Sequence, residues 1–224
     1  MEKTLFEGCI FDLDGVIVDT ARYHFMSWNK LARNLGFELN EEDNEQLKGI
    51  SRADSLEIVL KLGNYTLPQK EKIKCLKSKN DYYLEYVDKL GNKDTLPGVE
   101  DFLIELNKRS IKTALGSASK NARGLIDRLD LTKYFHAIVD GTDVQKSKPD
   151  PEVFIKGAYL LKIDPKQIVI FEDAQKGIAA AHAAGCTVVG VGDPKSLQAA
   201  DINIKTFKNY TVDDLVRSMT ELAV

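Results

Sequence analysis

Four acidic residues stand directly after two short apolar runs of the sequence. Asp12 and Asp14 follow the first run, and Glu172 and Asp173 follow a later one. If folding brings these residues together, two like charges ~4 Å apart repel by about 4 kcal/mol at an effective dielectric constant of about 20. Such a cluster needs a cation, and its hard oxygen ligands favour Mg²⁺. The four residues therefore predict a magnesium site.

A serine and a lysine stand at comparable positions. Ser117 follows another apolar run, and Lys148 lies in the stretch before the last pair of acids. Magnesium prefers few carboxylates together with phosphate oxygens and water, which favours a phosphorylated substrate. Lys148 would neutralise phosphate charge, and Ser117 with the backbone N–H groups after it would donate hydrogen bonds at a helix entrance. Taken singly, Lys148 could instead be a solvated loop lysine and Ser117 a capping residue, just as Glu172-Asp173 could cap a helix.

These residues lie at the ends of predicted strands. Apolar runs predict strands at residues 5–11, 111–116, 137–139, 167–171 and 187–191. Helical spacing and breaker residues predict helices at 21–35, 51–63, 68–90, 99–106, 121–129, 151–161 and 174–184. Because the strands after residue 96 alternate with helices, we expect an α/β fold with a doubly wound parallel sheet, whose ligands bind beyond the carboxyl ends of the strands.

The first predicted strand is separated from the others by helices alone. The simplest arrangement is a helical domain inserted after that strand. We therefore predict an α/β core at residues 1–15 and 89–224 and an inserted α-helical cap domain at 16–88.

Composition excludes several classes of partner. The 224 residues carry 31 basic and 34 acidic side chains, a net charge of −3, so we expect neither nucleic acid nor a membrane surface as a partner. Residues 1–8 contain acids and no long apolar run, and no stretch approaches the ~18 apolar residues of a membrane helix. The three cysteines are far apart, which favours reduced, buried thiols. We expect a cytoplasmic monomer that acts on a small molecule.

The order of these motifs resembles the haloacid dehalogenase superfamily of phosphotransferases. Residues 12–16 (Asp-Leu-Asp-Gly-Val) are similar to its first motif, Ser117 to its second, Lys148 with the following proline to its third, and residues 172–173 to its fourth. The resemblance implies that Asp12 is the nucleophile and that Asp14 is the acid/base residue. It extends over nearly the whole chain and is strongest toward the sugar phosphomutases of the superfamily. Departures at residues 141–143 and at Lys176 leave the motif residues unchanged.

For function, the resemblance implies a reversible 1,6-phosphomutase. Such an enzyme interconverts β-D-glucose 1-phosphate and glucose 6-phosphate through an aspartyl-phosphate and a bound β-glucose 1,6-bisphosphate, with Mg²⁺. The implied binding residues fall into three groups: Ser117, Ala118 and Lys148 on the transferred phosphate; His24, Lys48, Gly49 and Arg52 on the sugar and the far phosphate, where Ser119, Lys120 and Asn121 join; and Lys79 on a sugar hydroxyl. From the residues alone, His24 could equally be a packed or surface residue, Lys79 could belong to a solvated helix face, and Lys48 and Arg52 could be surface charges.

The acid/base role of Asp14 raises one expectation about its pKa, and two alternative functions remain open. An acid that works near neutral pH needs a pKa above the usual ~3.9 of aspartate, so we expect closure of the cap to desolvate Asp14 and to favour its protonated form. The first alternative function is a sugar-phosphate phosphatase of the same fold. The second is a phospho-acceptor signalling domain, which needs neither the helical insertion nor the second aspartate at position 14.

Overall fold

The computed structural model describes residues 5–223, so residues 1–4 and 224 of the predicted core, and half of the N-terminal stretch 1–8, lie outside the described part. Its centre is one parallel sheet of six strands in the order β3-β2-β1-β4-β5-β6. The strands are β1 (Gly8–Phe11), β2 (Lys112–Gly116), β3 (Ala137–Val139), β4 (Ile168–Glu172), β5 (Thr187–Val191) and β6 (Ile202–Ile204).

Helices connect these strands and cover both faces of the sheet. They are α1 (Ala21–Asn34), α2 (Glu41–Glu45), α3 (Arg52–Leu62), α4 (Gln69–Val87), α5 (Val99–Lys108), α6 (Ala122–Arg128), α7 (Glu152–Leu161), α8 (Gln175–Ala183) and α9 (Val212–Leu222). The predicted doubly wound α/β fold is confirmed. Since helices cover both faces, the central strands carry apolar residues at consecutive rather than alternate positions.

Strand β1 shows how the two layers of the core are built. All four of its residues are buried. Phe11 faces one apolar layer, where its ring stacks on that of Phe171 with the centroids 4.7 Å apart. Ile10 faces the opposite layer, which includes Phe154 of α7. The strand is therefore anchored on both sides just before the chain reaches Asp12.

The register of the central strands determines which residues meet at the carboxyl edge of the sheet. Phe11 of β1 is paired with Leu115 of β2 on one side and with Phe171 of β4 on the other. The strand order reverses direction here, because β2 and β3 lie to one side of β1 and β4 to β6 to the other. This is the switch point at which ligands bind in such sheets.

Helices α1 to α4 form the inserted cap. They follow β1 and precede α5 in the chain, and they enclose a separate apolar cluster that includes Trp28 and Leu31 of α1 and Val59 of α3. The predicted helical insertion is confirmed, whereas its bounds at residues 16 and 88 stay a prediction.

Some elements differ from the sequence-based expectations. Strand β1 begins at Gly8, three residues later than predicted, because Glu7 is already at the exposed end of the sheet. Helix α2 was not predicted, since it contains no apolar residue and is started by a capping box between Asn40 and Asp43. Strand β6 has three residues at the edge of the sheet, too few for a periodic pattern.

The cysteines and the membrane prediction can be checked in the described residues. All three cysteines are free; Cys9 and Cys186 are buried, but the expectation of burial is wrong for Cys75, which is partly exposed on α4. Within residues 5–223, no helix combines the length and the apolar character needed to cross a membrane.

Candidate active site

The buried ammonium group of Lys148 joins the ends of the central strands. Its Nζ donates to Oδ1 of Asp12 at 2.6 Å, to the carbonyl of Gly116 at 3.3 Å and to Oε1 of Glu172. Lys148 is 1% exposed, and the alternative of a solvated loop lysine is therefore wrong. The three donors of the ammonium group are all used inside the site.

Opposing charges set the pKa values of this group. Burial by itself would lower the pKa of Lys148, but the carboxylates of Asp12 and Glu172 outweigh burial and raise it. Burial raises the pKa of Asp12 to about 7 against the opposing effect of Lys148, and Glu172 and Asp14 add to the rise. Positive charge beside Asp12 therefore favours its anionic form, against burial and the neighbouring carboxylates.

Three of the four predicted acids converge. Carboxylate oxygens of Asp12, Glu172 and Asp173 lie within 4.8 Å of one another. Burial, followed by the charges of Glu172 and Asp12, raises the pKa of Asp173 well above its usual value. A set of carboxylate oxygens under mutual repulsion suits a hard divalent cation, so these residues could hold a metal ion. The side chain of Asp14 is outside this group.

Two glycines make room for these carboxylates. A Cβ atom at Gly177 of α8 would lie 2.0 Å from the carboxyl carbon of Glu172, and one at Gly15 would lie 2.2 Å from Oδ2 of Asp173. Gly15 also has a φ of +79°, which favours glycine. The acid cluster therefore depends on small residues that carry no chemistry of their own.

Backbone N–H groups of the loop after β4 hold the side chain of Glu172. Its Oε2 accepts hydrogen bonds from the N–H groups of Asp173 and Ala174 at 3.0 and 3.1 Å, both before the first residue of α8, and α8 has no side-chain cap. Its Oε1 accepts from Lys148. The backbone bonds fix the orientation in which the other oxygen faces the site.

The loop after β2 is held by its own serines. Oγ of Ser117 accepts from the N–H group of Ser119 at 3.1 Å, and Oγ of Ser119 accepts from the N–H group of Asn121 at 3.2 Å. Nδ2 of Asn121 donates to Oδ1 of Asn80 on α4 at 2.9 Å, a contact between core and cap. Both serines therefore stabilise the backbone of this loop. Both also line the cavity between the cap and the sheet.

A cavity of about 520 Å³ lies between the cap and the carboxyl edge of the sheet. The predicted site residues that line it are Asp12, Asp14, His24, Lys48, Gly49, Arg52, Lys79, Ser117, Ala118, Ser119, Lys120 and Asp173. Lys148 and Glu172 lie behind Asp12, and Asn121 lies beside the cavity without lining it. The volume is in the range of small-molecule sites.

Asp14 faces the cap. Its Oδ1 accepts a hydrogen bond from Oγ1 of Thr20 and lies 3.5 Å from Nε2 of His24. Burial acts to raise the pKa of Asp14, but His24, Thr20 and Lys79 outweigh burial, and the pKa is lowered. The expectation that closure favours a protonated Asp14 is wrong for this conformation, because the cap brings cationic and donor groups to the carboxylate together with the loss of water.

Lys79 is buried in the cap between aromatic rings. It is 1% exposed, so the alternative of a solvated helix face is wrong. Its Nζ lies 2.8 Å from Nδ1 of His24 and sits over the rings of Trp28 and Tyr83, 5.0 and 4.8 Å from their centroids. Burial and the charge of Arg52 lower the pKa of Lys79 to about 7. Burial and the neighbouring Lys79 also lower the pKa of His24.

The loop before α3 brings the remaining cap residues to the cavity. Lys48 forms an ion pair with Glu45 at 2.7 Å, and Gly49 has a φ of +71° that favours glycine. Ser51 is the N-cap residue of α3, its Oγ accepting from the N–H group of Asp54, and Arg52 begins the helix. The predicted helix start therefore places Arg52 at the cavity wall.

Three residues of the site were not predicted. Thr20 bonds Asp14, while Trp28 and Tyr83 enclose Lys79. Thr20 had one usable signal, since it stands directly before α1 as an N-cap residue would. In the sequence, Trp28 and Tyr83 look like ordinary core residues of helices. They come to enclose Lys79 only because α1 packs on α4.

Comparison with known proteins agrees with this geometry. The family model of haloacid dehalogenase-like hydrolases matches residues 9–191. A β-phosphoglucomutase of Bacillus subtilis is 40% identical over 211 residues, covering 92% of this chain and 92% of that protein. A phosphorylated carbohydrates phosphatase of Thermotoga maritima is 31% identical over 181 residues, covering 80% of this chain and 82% of the relative.

Among solved structures, a β-phosphoglucomutase of Clostridium difficile superposes with a TM-score of 0.93 at 38% identity. The match covers 97% of this chain and 99% of that one. The family model matches more than half of the chain, and the relatives are 31% to 40% identical over most of their length and of this chain, which is more than a likeness of fold alone. The chain belongs to the haloacid dehalogenase-like hydrolase family.

Proposed function

We propose that this enzyme is an intramolecular phosphotransferase that interconverts β-D-glucose 1-phosphate and glucose 6-phosphate. One observation carries the proposal: a single cavity has the carboxylate of Asp12 beside Lys148 at its core end, and the cations Lys48 and Arg52 on its cap side. In this proposal Asp12 is the nucleophile. A sugar with two phosphates meets positive charge at both ends of such a cavity. The relatives named β-phosphoglucomutase, at 40% and 38% identity, support this choice.

The reaction proceeds in two transfers through β-glucose 1,6-bisphosphate. A sugar hydroxyl oxygen attacks the phosphorus carried by Asp12, the bond from phosphorus to the Asp12 oxygen breaks, and Asp14 takes the hydroxyl proton. The bisphosphate then turns over in the cavity, Asp12 attacks its other phosphate, and Asp14 returns the proton to the leaving sugar oxygen. Asp12 ends phosphorylated, as it began.

Each group of the site has a task in this scheme. The lowered pKa of Asp14 keeps it ionised, ready to accept the proton from the sugar hydroxyl. Lys148 neutralises charge on the transferred phosphoryl group, and Ser117 donates to it. A bound Mg²⁺, which Asp12, Glu172 and Asp173 would hold, supplies further positive charge to the phosphoryl oxygens.

A phosphatase is the second candidate, and the Thermotoga maritima relative favours it. Product analysis separates the two. The purified enzyme is given β-glucose 1-phosphate, Mg²⁺ and traces of β-glucose 1,6-bisphosphate, and glucose 6-phosphate and inorganic phosphate are both measured. Glucose 6-phosphate in large excess supports the mutase, whereas stoichiometric release of inorganic phosphate identifies a phosphatase. A stable phosphoprotein without turnover would instead revive the signalling domain.

The proposal also includes the oligomeric state and the cellular location of the enzyme, which we expect to be a cytoplasmic monomer. One chain supplies both walls of the cavity, which supports a monomeric enzyme. The three free cysteines are consistent with the predicted cytoplasmic location, where thiols stay reduced. Gel filtration and fractionation of cells would test these two points.

A further inference from the structure

Part of the wall of the active-site cavity also faces a second space on the surface. On the other side of this wall, between cap and core, lies an open groove of about 480 Å³. Both spaces are lined in common by Ile50, Asp54, Gln145, Lys146 and Ser147. The wall is therefore built from the start of α3 on the cap side and the loop before α7 on the core side.

The carboxylate of Asp54 accepts hydrogen bonds from both sides of the wall. Oδ2 of Asp54 accepts from Oγ of Ser147 across the boundary between cap and core. The same oxygen accepts from Oγ of Ser51 in the cap at 2.6 Å. Residues 93 positions apart in the chain are joined in this way.

Both serines precede residues of the candidate active site. Ser147 stands directly before Lys148, whose Nζ lies 2.6 Å from Asp12, and Ser51 stands directly before Arg52 at the cavity wall. A displacement of Asp54 would therefore open the wall and loosen the two loops that carry these cations.

A second tie crosses the same wall. Nζ of Lys176 on α8 donates to the backbone carbonyl of Gln46 in the cap at 2.7 Å. Lys176 also lines the groove. Cap and core are thus bonded at two points around this opening.

We propose that Asp54 is a positioning residue that holds this wall closed and so directs the phosphoryl group of Asp12 to the sugar rather than to water. The inference rests on the proposed mutase function. Hydrolysis would form a bond from a water oxygen to phosphorus, break the bond to the Asp12 oxygen, pass a water proton to Asp14 and release inorganic phosphate. Excluding water from the cavity suppresses this side reaction.

The experiment compares Asp54→Ala and Ser147→Ala with the unaltered enzyme. With β-glucose 1-phosphate, Mg²⁺ and traces of β-glucose 1,6-bisphosphate, we expect the ratio of inorganic phosphate to glucose 6-phosphate to rise about fivefold in Ser147→Ala, since one hydrogen bond is lost. The rise in Asp54→Ala should be at least as large, because the bond from Ser51 is lost as well. The double variant should show no larger rise than Asp54→Ala alone, because Asp54→Ala already removes the bond to Ser147. Asp54→Asn retains an acceptor oxygen and should stay within about twofold of the unaltered ratio.

Glu57→Gln is the matched control. Glu57 lies on the same helix and lines the same groove, but its carboxylate bonds Lys72 within the cap, at 2.7 Å. We expect this variant to leave the ratio unchanged. A merely structural role of Asp54 would lower both products together, and thermal unfolding of each variant measures that loss separately.

The outcomes are distinguishable. An unchanged ratio in Asp54→Ala and Ser147→Ala, or additive effects in the double variant, overturns the role of Asp54 while the mutase function stands. If the unaltered enzyme forms no glucose 6-phosphate, the mutase function fails, and the role of Asp54 in it fails as well.

Discussion

The core half and the cap half of the site hold their residues in different ways. In the core half, Asp12 and Glu172 stand at the ends of β1 and β4, adjacent strands in fixed register. In the cap half, His24 of α1 and Lys79 of α4 meet only through side-chain contacts, 2.8 Å apart. The backbone of the sheet thus positions the proposed reacting groups, whereas helix packing positions the groups that we propose to recognise the sugar.

The two halves also differ in charge. In the core half, Lys148 is compensated by two carboxylates that bond it directly. In the cap half, Arg52 and Lys79 face the cavity, and no carboxylate among residues 5–223 forms an ion pair with either; Arg52 lowers the pKa of Lys79, and Lys79 lowers the pKa of His24. These charges support the proposal that the core half binds a metal ion together with a phosphoryl group and that the cap half receives an anion.

The largest effect is expected from breaking the core half at Lys148. Lys148→Ala should lower kcat by about 10²- to 10³-fold, since a buried donor to the transferred phosphoryl group is lost. When a chelator has removed metal ions, the free energy of unfolding of Lys148→Ala should be roughly 3–5 kcal/mol lower than that of the unaltered enzyme, because buried Asp12 and Glu172 are left without the ammonium group of Lys148. Steady-state kinetics and denaturant unfolding measure the two effects. Lys133→Ala, which removes an exposed lysine paired with Asp130, is the control and should change neither.

A second break in the core half acts through Gly177. Gly177→Ala places a Cβ 2.0 Å from the carboxyl carbon of Glu172, so that carboxylate must move. We expect the Mg²⁺ concentration for half-maximal activity to rise about 10- to 100-fold. Gly124→Ala in α6, where the nearest atom to the new Cβ is 3.5 Å away, is the control. An unchanged Mg²⁺ requirement in Gly177→Ala would remove Glu172 from the metal site.

The cap half is tested by the pH dependence of stability. Lys79 has a pKa of about 7 in the folded protein, against an ordinary 10.5 in the unfolded chain, so the unfolded chain binds more protons between these pH values. Lys79 therefore destabilises the fold below pH ~7, and its penalty is relieved as pH rises toward 10.5. In Lys79→Met, the free energy of unfolding should rise less steeply between pH 7 and 10 than in the unaltered enzyme. Parallel curves for the two proteins would show that Lys79 keeps its usual pKa.

The smallest effect distinguishes two roles of Asn121. If Asn121 serves to tie cap to core through Asn80, then Asn121→Ala and Asn80→Ala should raise KM equally, by roughly five-fold for one hydrogen bond. If Asn121 binds the far phosphate, its variant should have the larger effect. The comparison of the two KM values decides between them.

Strand ends were the part of the site that the sequence predicted best. Asp12, Ser117 and Glu172 follow apolar runs, and a parallel sheet brings the ends of such runs to one edge whatever the loops do. The apolar runs do not, however, predict the order of the strands in the sheet. Asp12, Ser117 and Glu172 meet because β1 lies between β2 and β4.

The cap half could be placed only through the resemblance to a family. Lys79 lies in a helix that carries many exposed lysines, and its burial arises from Trp28 on another helix. Asp14 illustrates the same limit, since its lowered pKa depends on His24 and Thr20, which the sequence does not place beside it. Contacts between helices form only when the chain folds, so they cannot be predicted from the spacing of residues within one helix.

The central claim is that Asp12 carries the phosphoryl group. The enzyme is mixed with β-glucose 1,6-bisphosphate and Mg²⁺, quenched in acid within milliseconds, digested and analysed by mass spectrometry. The account predicts one phosphoryl group on the peptide that contains Asp12, and neither phosphopeptide nor turnover in Asp12→Asn. A phosphoryl group on another residue, or full activity of Asp12→Asn, would contradict it.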